Sequence, residues 1–372
     1  MKAGRNGSTV QRAPRRAVAL ADVAAKAGVD ASTASRILNH DAGYRVSAAT
    51  RERVLATAAE LGYSPNPMAR GLRTARTRSI GIVVPQIENP LYAEIIAGAA
   101  RAVRAHDYTL LVAYQEDWAG GGSVYEKVAQ VNRVDGLIAA PLDAGPELMA
   151  AFERIDVPYV VVHRRIRGIE RCIIMDSYAA AKLAVHHLIE QGHRRIAYVA
   201  RRSVYYNDTR RLAGYKAALR EAGIGIDERL IIHSAHTREG GINGVEALLQ
   251  SGVVATAIFT VTPFAASGIM AILAEKGLRV PGDVSVLALY DHGFAEALQP
   301  PVTTVGMPLQ DMGAAAVDVL IAMLQGRAPP PVRPLLPREL NLRKSTGPVP
   351  LRAGGAEPGA GWPVKRTRIA AR

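Results

Sequence analysis

Apolar residues recur at helical spacing near the start of the chain. Leu20, Val23, Ala24 and Ala27 share one face of a short helix, and Ala34, Ile37 and Leu38 share one face of a second. Gly28-Val29-Asp30 separates them. Gly28 can take the positive φ of a tight turn, and Asp30 is a good N-cap for the second helix. A third helix follows, with Ser47 as its cap, Val54, Leu55, Ala58 and Leu61 on its apolar face, and Gly62 at its end. The pattern predicts a helix-turn-helix. Ala31, Ser32, Ser35 and Arg36 occupy the open side of its second helix, near the end that such helices present to a DNA major groove.

From Ser79 the pattern changes. Ile80-Gly81-Ile82-Val83-Val84, closed by Pro85, reads as a buried strand. Strand-like runs at 109–113, 136–140, 158–162, 195–199, 229–233, 256–260 and 284–289 alternate with helix-like stretches. Those stretches fall at 91–105, 124–132, 178–191, 210–222, 239–250, 264–276 and 307–325. Such alternation predicts parallel sheets covered by helices on both faces. The strands are too many for one comfortable doubly wound sheet, so two lobes are expected, with a cleft at the carboxyl ends of the strands. Between the two patterns, 65–78 reads either as a linker or as a hinge helix that orders on DNA. Pro67 could start such a helix, and Gly71 weakens it.

Charge sharpens this division. Residues 1–78 hold 14 Lys and Arg against 5 Asp and Glu, residues 343–372 hold 7 against 1, and residues 79–342 hold 25 against 27. The basicity therefore lies at the two ends, and a basic segment carrying a helix-turn-helix suits a phosphate backbone. Residues 1–17 and 343–372 are expected to be disordered basic tails; the second is rich in Gly, Pro, Ala and Arg and has no heptads. Cys172 is the only cysteine, so no intrachain disulfide can form. No apolar stretch is long enough to span a bilayer, and the basic N-terminus lacks a signal-peptide core. A cytoplasmic, nucleoid-associated protein is expected.

Catalytic chemistry finds little support. His186-His187, and His233 with His236, have no matching Cys or acidic cluster, so no metal is expected. Gly120-Gly121-Gly122 does not continue into a phosphate-binding signature, and there is no G-x-S-x-G elbow. Neither an enzyme nor a cofactor is expected.

Motifs spread over about residues 18–342 resemble the lactose/galactose repressor family of bacterial transcription factors. In the headpiece they are Asp22-Val23-Ala24 with Ala27-Gly28-Val29, Thr33-Ala34-Ser35-Arg36-Ile37-Leu38-Asn39, and Leu61-Gly62-Tyr63-Ser64-Pro65-Asn66. In the core they include Val134-Asp135-Gly136-Leu137-Ile138, Gly192-His193-Arg194-Arg195-Ile196-Ala197, Arg211-Leu212-Ala213-Gly214-Tyr215 and Pro281-Gly282-Asp283-Val284-Ser285-Val286. The resemblance implies an all-α helix-turn-helix headpiece (18–64), a hinge helix and linker (65–78), and a periplasmic-binding-protein-like α/β core (79–342). Within that core the N-lobe is expected at about 79–174 and 304–327, and the C-lobe at about 175–303 and 328–342. It further implies a homodimer on a palindromic operator of double-stranded DNA, most often as a repressor, and a small-molecule effector between two doubly wound lobes. Two other readings compete: a nonspecific architectural DNA-binding protein, and a small-molecule-binding protein with an incidental headpiece.

By the same resemblance, Ala31, Ser32 and Arg36 read bases, while Thr33, Ser35, Asn39 and Thr50 touch phosphates. Asn66, Arg70 and Leu72 match the hinge, with Leu72 wedged into the minor groove. Ala19 stands where the family often has a capping Thr. The effector set is Tyr92, His163, Asp176, Arg211, Thr262, Tyr290, Asp291 and Met307. Here the chain departs from sugar-binding relatives. His163 and Tyr290 each replace an aspartate, Thr262-Pro263 replaces Asn-Asp, and Met307 stands where a glutamine can occur. The implied ligand is less hydroxylated than a free sugar, and anionic or aromatic, with Arg211 suited to a carboxylate or phosphate.

Overall fold

The computed structural model describes residues 18–39, 44–63, 76–87, 89–114, 123–130, 133–141, 145–202, 205–331 and 333–349. The chain divides into two compact units, Met1–Thr77 and Arg78–Arg372. In the first, α1 (Leu20–Ala27), α2 (Ala31–Leu38) and α3 (Ala48–Leu61) enclose Val23, Ala24, Ala27, Ala34, Ile37, Val54 and Ala58. Gly28 and Gly62 close α1 and α3 at φ +63° and +65°, the left-handed caps that glycine adopts without strain. Ala19 offers α1 no side-chain cap; instead Asp22 accepts from the Ala19 N–H at 2.8 Å.

The second unit holds two sheets. The first comprises β1 (Ser79–Val84), β2 (Thr109–Tyr114), β3 (Gly136–Ala139), β4 (Tyr159–Val162) and β5 (Cys172–Ile173), all parallel in the order β2-β1-β3-β4-β5. The second comprises β6 (Ile196–Ala200), β7 (Ile231–His233), β8 (Ala257–Thr260), β9 (Ser285–Leu289), β10 (Thr303–Val305) and β11 (Leu340–Asn341). Its order is β11-β10-β9-β8-β6-β7, parallel except for the β11 edge. Strands buried on both faces explain the continuous Val/Ile/Leu runs in the sequence.

Helices cover both sheets: α4 (Pro90–Ala105), α5 (Val124–Ala129) and α6 (Pro146–Glu153), then α7 (Ser177–Glu190), α8 (Tyr206–Glu221), α9 (Arg238–Gln250), α10 (Pro263–Glu275), α11 (Gly293–Ala297) and α12 (Leu309–Leu324). Late in sequence, α12 returns to the N-lobe and crosses α4 at closest approach. A Cβ on Gly98 would lie 2.0 Å from the Gln310 carbonyl oxygen, and one on Gly313 would lie 2.0 Å from that of Ile95. The short α6, α11, β5, β10 and β11 carry too few periodic positions to show in the sequence.

Two boundaries are corrected. Thr304 and Val305, assigned to the N-lobe from sequence, pair with β9 and β11 in the C-lobe sheet. Residues 343–349, assigned to the disordered tail, form a strap on the C-lobe. Ser345 is fully buried, and its hydroxyl donates to the Val286 carbonyl at 2.6 Å. Arg343 reaches Asp291 at 2.7 Å and Glu296 at 2.9 Å, and the Val349 N–H donates to the Gln191 carbonyl at 2.9 Å. Backbone pairing, the buried Ser345 hydroxyl and the two Arg343 ion pairs order a stretch whose local composition signals disorder.

Candidate nucleic-acid interface and ligand cavity

The start of α2 is locked by its own side chains. Asp30 accepts from the Thr33 N–H at 2.8 Å, the Ser32 hydroxyl at 2.6 Å and the Thr33 hydroxyl at 2.7 Å. These bonds, the Ser32 hydroxyl's foremost, hold the Asp30 carboxyl well below the usual carboxylate range. Ala31, Ser32 and Arg36 are left exposed beside it, and Ser35 is half-buried. The Arg36 guanidinium lies 4.9 Å from the centre of the Tyr44 ring. Thr33 departs from its expected phosphate role: it is buried, and its hydroxyl is shared with Asp30 and, at 2.8 Å, with the Tyr44 hydroxyl. The Asn39 amide turns back to donate to the Ser35 carbonyl at 2.7 Å, and the Thr50 hydroxyl lies 2.8 Å from that of Ser47. Arg53 donates to the Ala27 carbonyl at 2.9 Å, tying α3 to the end of α1. Asn66, Arg70 and Leu72 lie outside the described residues.

The second candidate site is a cavity of about 270 Å³ in the Arg78–Arg372 unit. Residues of both lobes line it, at the carboxyl ends of their strands, where α/β folds place ligands. His163 directly follows β4 and Tyr290 directly follows β9. Both sit in the left-handed region, at φ +67° and +64°, a costly conformation for non-glycine residues that concentrates at functional sites. The His163 ring meets Tyr92 of α4 edge-on at 6.2 Å and Tyr290 at 6.3 Å, so three aromatic rings form one wall. Phe264 of α10 adds a fourth lining ring. Thr262 caps α10 through the Ala265 N–H at 3.1 Å and donates to the His236 carbonyl at 2.6 Å.

Opposite charge gathers at the start of α8. Asp208 and Arg211 are both buried and paired at 2.9 Å, and the same carboxylate accepts from Arg201 at 3.2 Å. Burial works against the Arg211 charge, but the Tyr198 and Tyr290 phenols and Asp208 outweigh it and raise its affinity for the proton. Burial also pushes His163 and His236 down to about 3, helped by Arg164 and Arg211, so both imidazoles are neutral near pH 7. Burial raises Tyr92 to about 12 and raises Tyr290 as well. The lining carries three guanidiniums, those of Arg164, Arg201 and Arg211, and the Asp208 carboxyl.

Of the expected effector residues, Tyr92, His163, Arg211, Thr262 and Tyr290 line this cavity. Asp176, Asp291 and Met307 do not. Asp176 caps α7 through the Ala179 N–H at 3.0 Å, Asp291 binds Arg343, and Met307 is buried in the core. Arg164, Arg201, Asn207, Asp208, His236 and Phe264 also line the cavity and lie outside the set that the sequence implies. Asp208 was detectable as the i−3 ion partner of Arg211, and Arg201 as a polar residue just past a strand's carboxyl end. Among the described residues, six buried side-chain polar atoms have no partner within the protein, and four of them belong to His163, Arg164, Asn207 and Arg211. Such atoms are rare in native folds, and their concentration around one cavity marks a polar network that the protein alone does not complete.

No group of described residues could hold a metal ion, and none of their helices is long and apolar enough to cross a membrane. Residues 19–66 match the family described as bacterial regulatory proteins, lacI family, and residues 185–346 match the periplasmic binding protein-like domain. The HTH-type transcriptional regulator CelR of Thermobifida fusca is 32% identical over 342 residues, covering 89% of this chain and 99% of the relative. The HTH-type transcriptional repressor CytR of Escherichia coli (strain K12) is 32% identical over 340 residues, covering 90% and 98%. Among solved structures, the Lac repressor dimer bound to operator and the anti-inducer ONPF superposes with a TM-score of 0.76 at 28% identity, covering 89% of this chain and 100% of that one. A complex of CelR with cellobiose superposes with a TM-score of 0.65 at 30% identity, covering 88% and 99%. With its helix-turn-helix headpiece and two-lobed α/β core, the chain belongs to the lacI family of bacterial transcriptional regulators.

Proposed function

We propose that this regulator is a repressor that binds a palindromic operator as a homodimer and is controlled by a small molecule in the interlobe cavity. The exposed start of α2 carries the reading. There Asp30 fixes the helix end, the exposed Arg36 leaves Tyr44 to reach a guanine edge bidentately, and Ala31 offers a methyl contact to thymine. Ser35, Asn39 and Thr50 set register on phosphates. Asn66, Arg70 and Leu72 act in the hinge, Leu72 as a minor-groove wedge.

Dimerisation has a candidate surface. β2 is an edge strand, and Leu111, Val112 and Tyr114 on it are 43%, 45% and 48% exposed. An apolar open edge is a liability that a second copy would cover. Two headpieces held by one dimer would read two half-sites related by two-fold symmetry.

Control follows from cavity walls that come from both lobes. A ligand touching both favours one lobe arrangement, and the energy difference between arrangements is what couples it to DNA affinity. With His163, Thr262 and Tyr290 at positions where sugar-binding relatives carry acids and amides, that ligand is less hydroxylated than a free sugar.

Selection of bound sequences from a random duplex library at near-physiological salt tests this reading. An enriched inverted repeat is expected. Binding with no enriched motif would replace the regulator reading with that of an architectural DNA binder.

A further inference from the structure

We propose that the ligand of the interlobe cavity is a small aromatic carboxylate: one ring bearing one or two carboxylate groups. The proposal rests on the reading of this cavity as the effector site and names the chemical class it takes.

Charge is the first argument. Three guanidiniums line the cavity against one carboxylate, and both lining imidazoles are neutral. Asp208 is already shared by Arg211 and Arg201. Arg164 makes no ion pair among the described residues; its guanidinium lies 4.7 Å from the Tyr205 ring centre, with Arg201 5.3 Å from the same centre. Two lining arginines gathered at one ring favour an anion. The guanidinium fork matches the planar, two-oxygen geometry of a carboxylate. Arg164 belongs to the N-lobe and Arg201 to the C-lobe, so one carboxylate between them would also draw the lobes together.

The remaining wall supplies the second argument. Tyr92, His163, Tyr290 and Phe264 present aromatic surface, two of them meeting His163 edge-to-face. A ligand ring extends such a set in the geometries that aromatic groups prefer. Size is the third. The cavity of about 270 Å³ lies at the small end for ligand pockets, which suits a single-ring ligand.

Calorimetric titration of the full-length protein with benzoate, 4-hydroxybenzoate, isophthalate, succinate, inorganic phosphate and galactose tests the class. At least one aromatic acid is expected to bind about tenfold or more tightly than succinate, phosphate and galactose. Arg164→Gln is expected to weaken that binding about tenfold at unchanged melting temperature, since it leaves the Asp208–Arg211 pair intact. Succinate or phosphate binding as tightly as the aromatic acids would overturn the aromatic assignment. Preference for galactose would overturn the class and leave the effector cavity standing. Silence from all six probes would overturn both, while operator binding by the same preparation would keep the regulator reading separate.

Discussion

Asp208 Oδ1 accepts a hydrogen bond from Arg211 Nη1 at 2.9 Å, and both side chains are withdrawn from solvent, at 8% and 3% exposure. One turn of α8 thus places a full ion pair in the cavity wall, with Arg201 sharing the carboxylate. Breaking such a pair leaves an uncompensated buried charge, which costs about 3–5 kcal/mol. Asp208→Ala is therefore expected to lower core stability by about that much in urea unfolding, and Arg201→Ala, at an exposed partner, by much less. Equal effects would place the pair in a more solvated setting than its burial implies.

The crossing of α4 and α12 rests on two glycines. Gly98→Ala would place a Cβ 2.0 Å from the Gln310 carbonyl oxygen, a backbone atom that cannot rotate away. The helices must separate, at a cost of about 1–3 kcal/mol or more. A thermal melt of the variant checks this: a lowered midpoint is expected, and an unchanged one would mean that the helices cross at a looser spacing.

Asp30 makes the headpiece acid-sensitive. Its carboxyl is held below the ordinary range, so the folded headpiece favours the ionised form. That stabilisation is complete above the range where an unfolded Asp titrates and is lost as pH falls through the folded value. Hydrogen exchange at the Thr33 amide, followed in the full-length protein from about pH 6 to pH 3, should show protection declining towards acid. The decline should be smaller in Asp30→Asn. A variant with the parent's pH profile would assign the acid sensitivity to another carboxylate.

The β2 edge predicts assembly. Val112→Glu introduces a charge at the centre of the exposed apolar strand and is expected to shift sedimentation from dimer to monomer. The folded core should be retained, because the replaced side chain is 45% exposed in the single chain. A dimer that survives the substitution would move the interface elsewhere.

Much of the architecture is legible in the sequence because it is written in periodicity. Val23, Ala24 and Ala27 recur at helical spacing, and Ile80, Ile82 and Val84 form the inward run of a central strand; each is buried as its pattern implies. The cavity is legible only where one residue type stands out against the family pattern, as at His163 and Tyr290. Its ion pair is not legible because the first turn of α8, Tyr206–Thr209, has no apolar stripe, so helical periodicity begins only at 210. Residues 343–349 look like tail in the sequence because their order comes from long-range partners such as Asp291, Val286 and Gln191. Local composition does not encode such partners.

The central claim is sequence-specific operator recognition, and its most direct test is fluorescence anisotropy with a selected operator and a scrambled duplex across a salt series. The operator is expected to stay about 10³-fold or more tighter than the scrambled sequence near physiological salt, and Arg36→Ala to erode that advantage by about 1–3 kcal/mol. Affinities for the two duplexes that fall together as salt rises, indifferent to Arg36, would contradict the account.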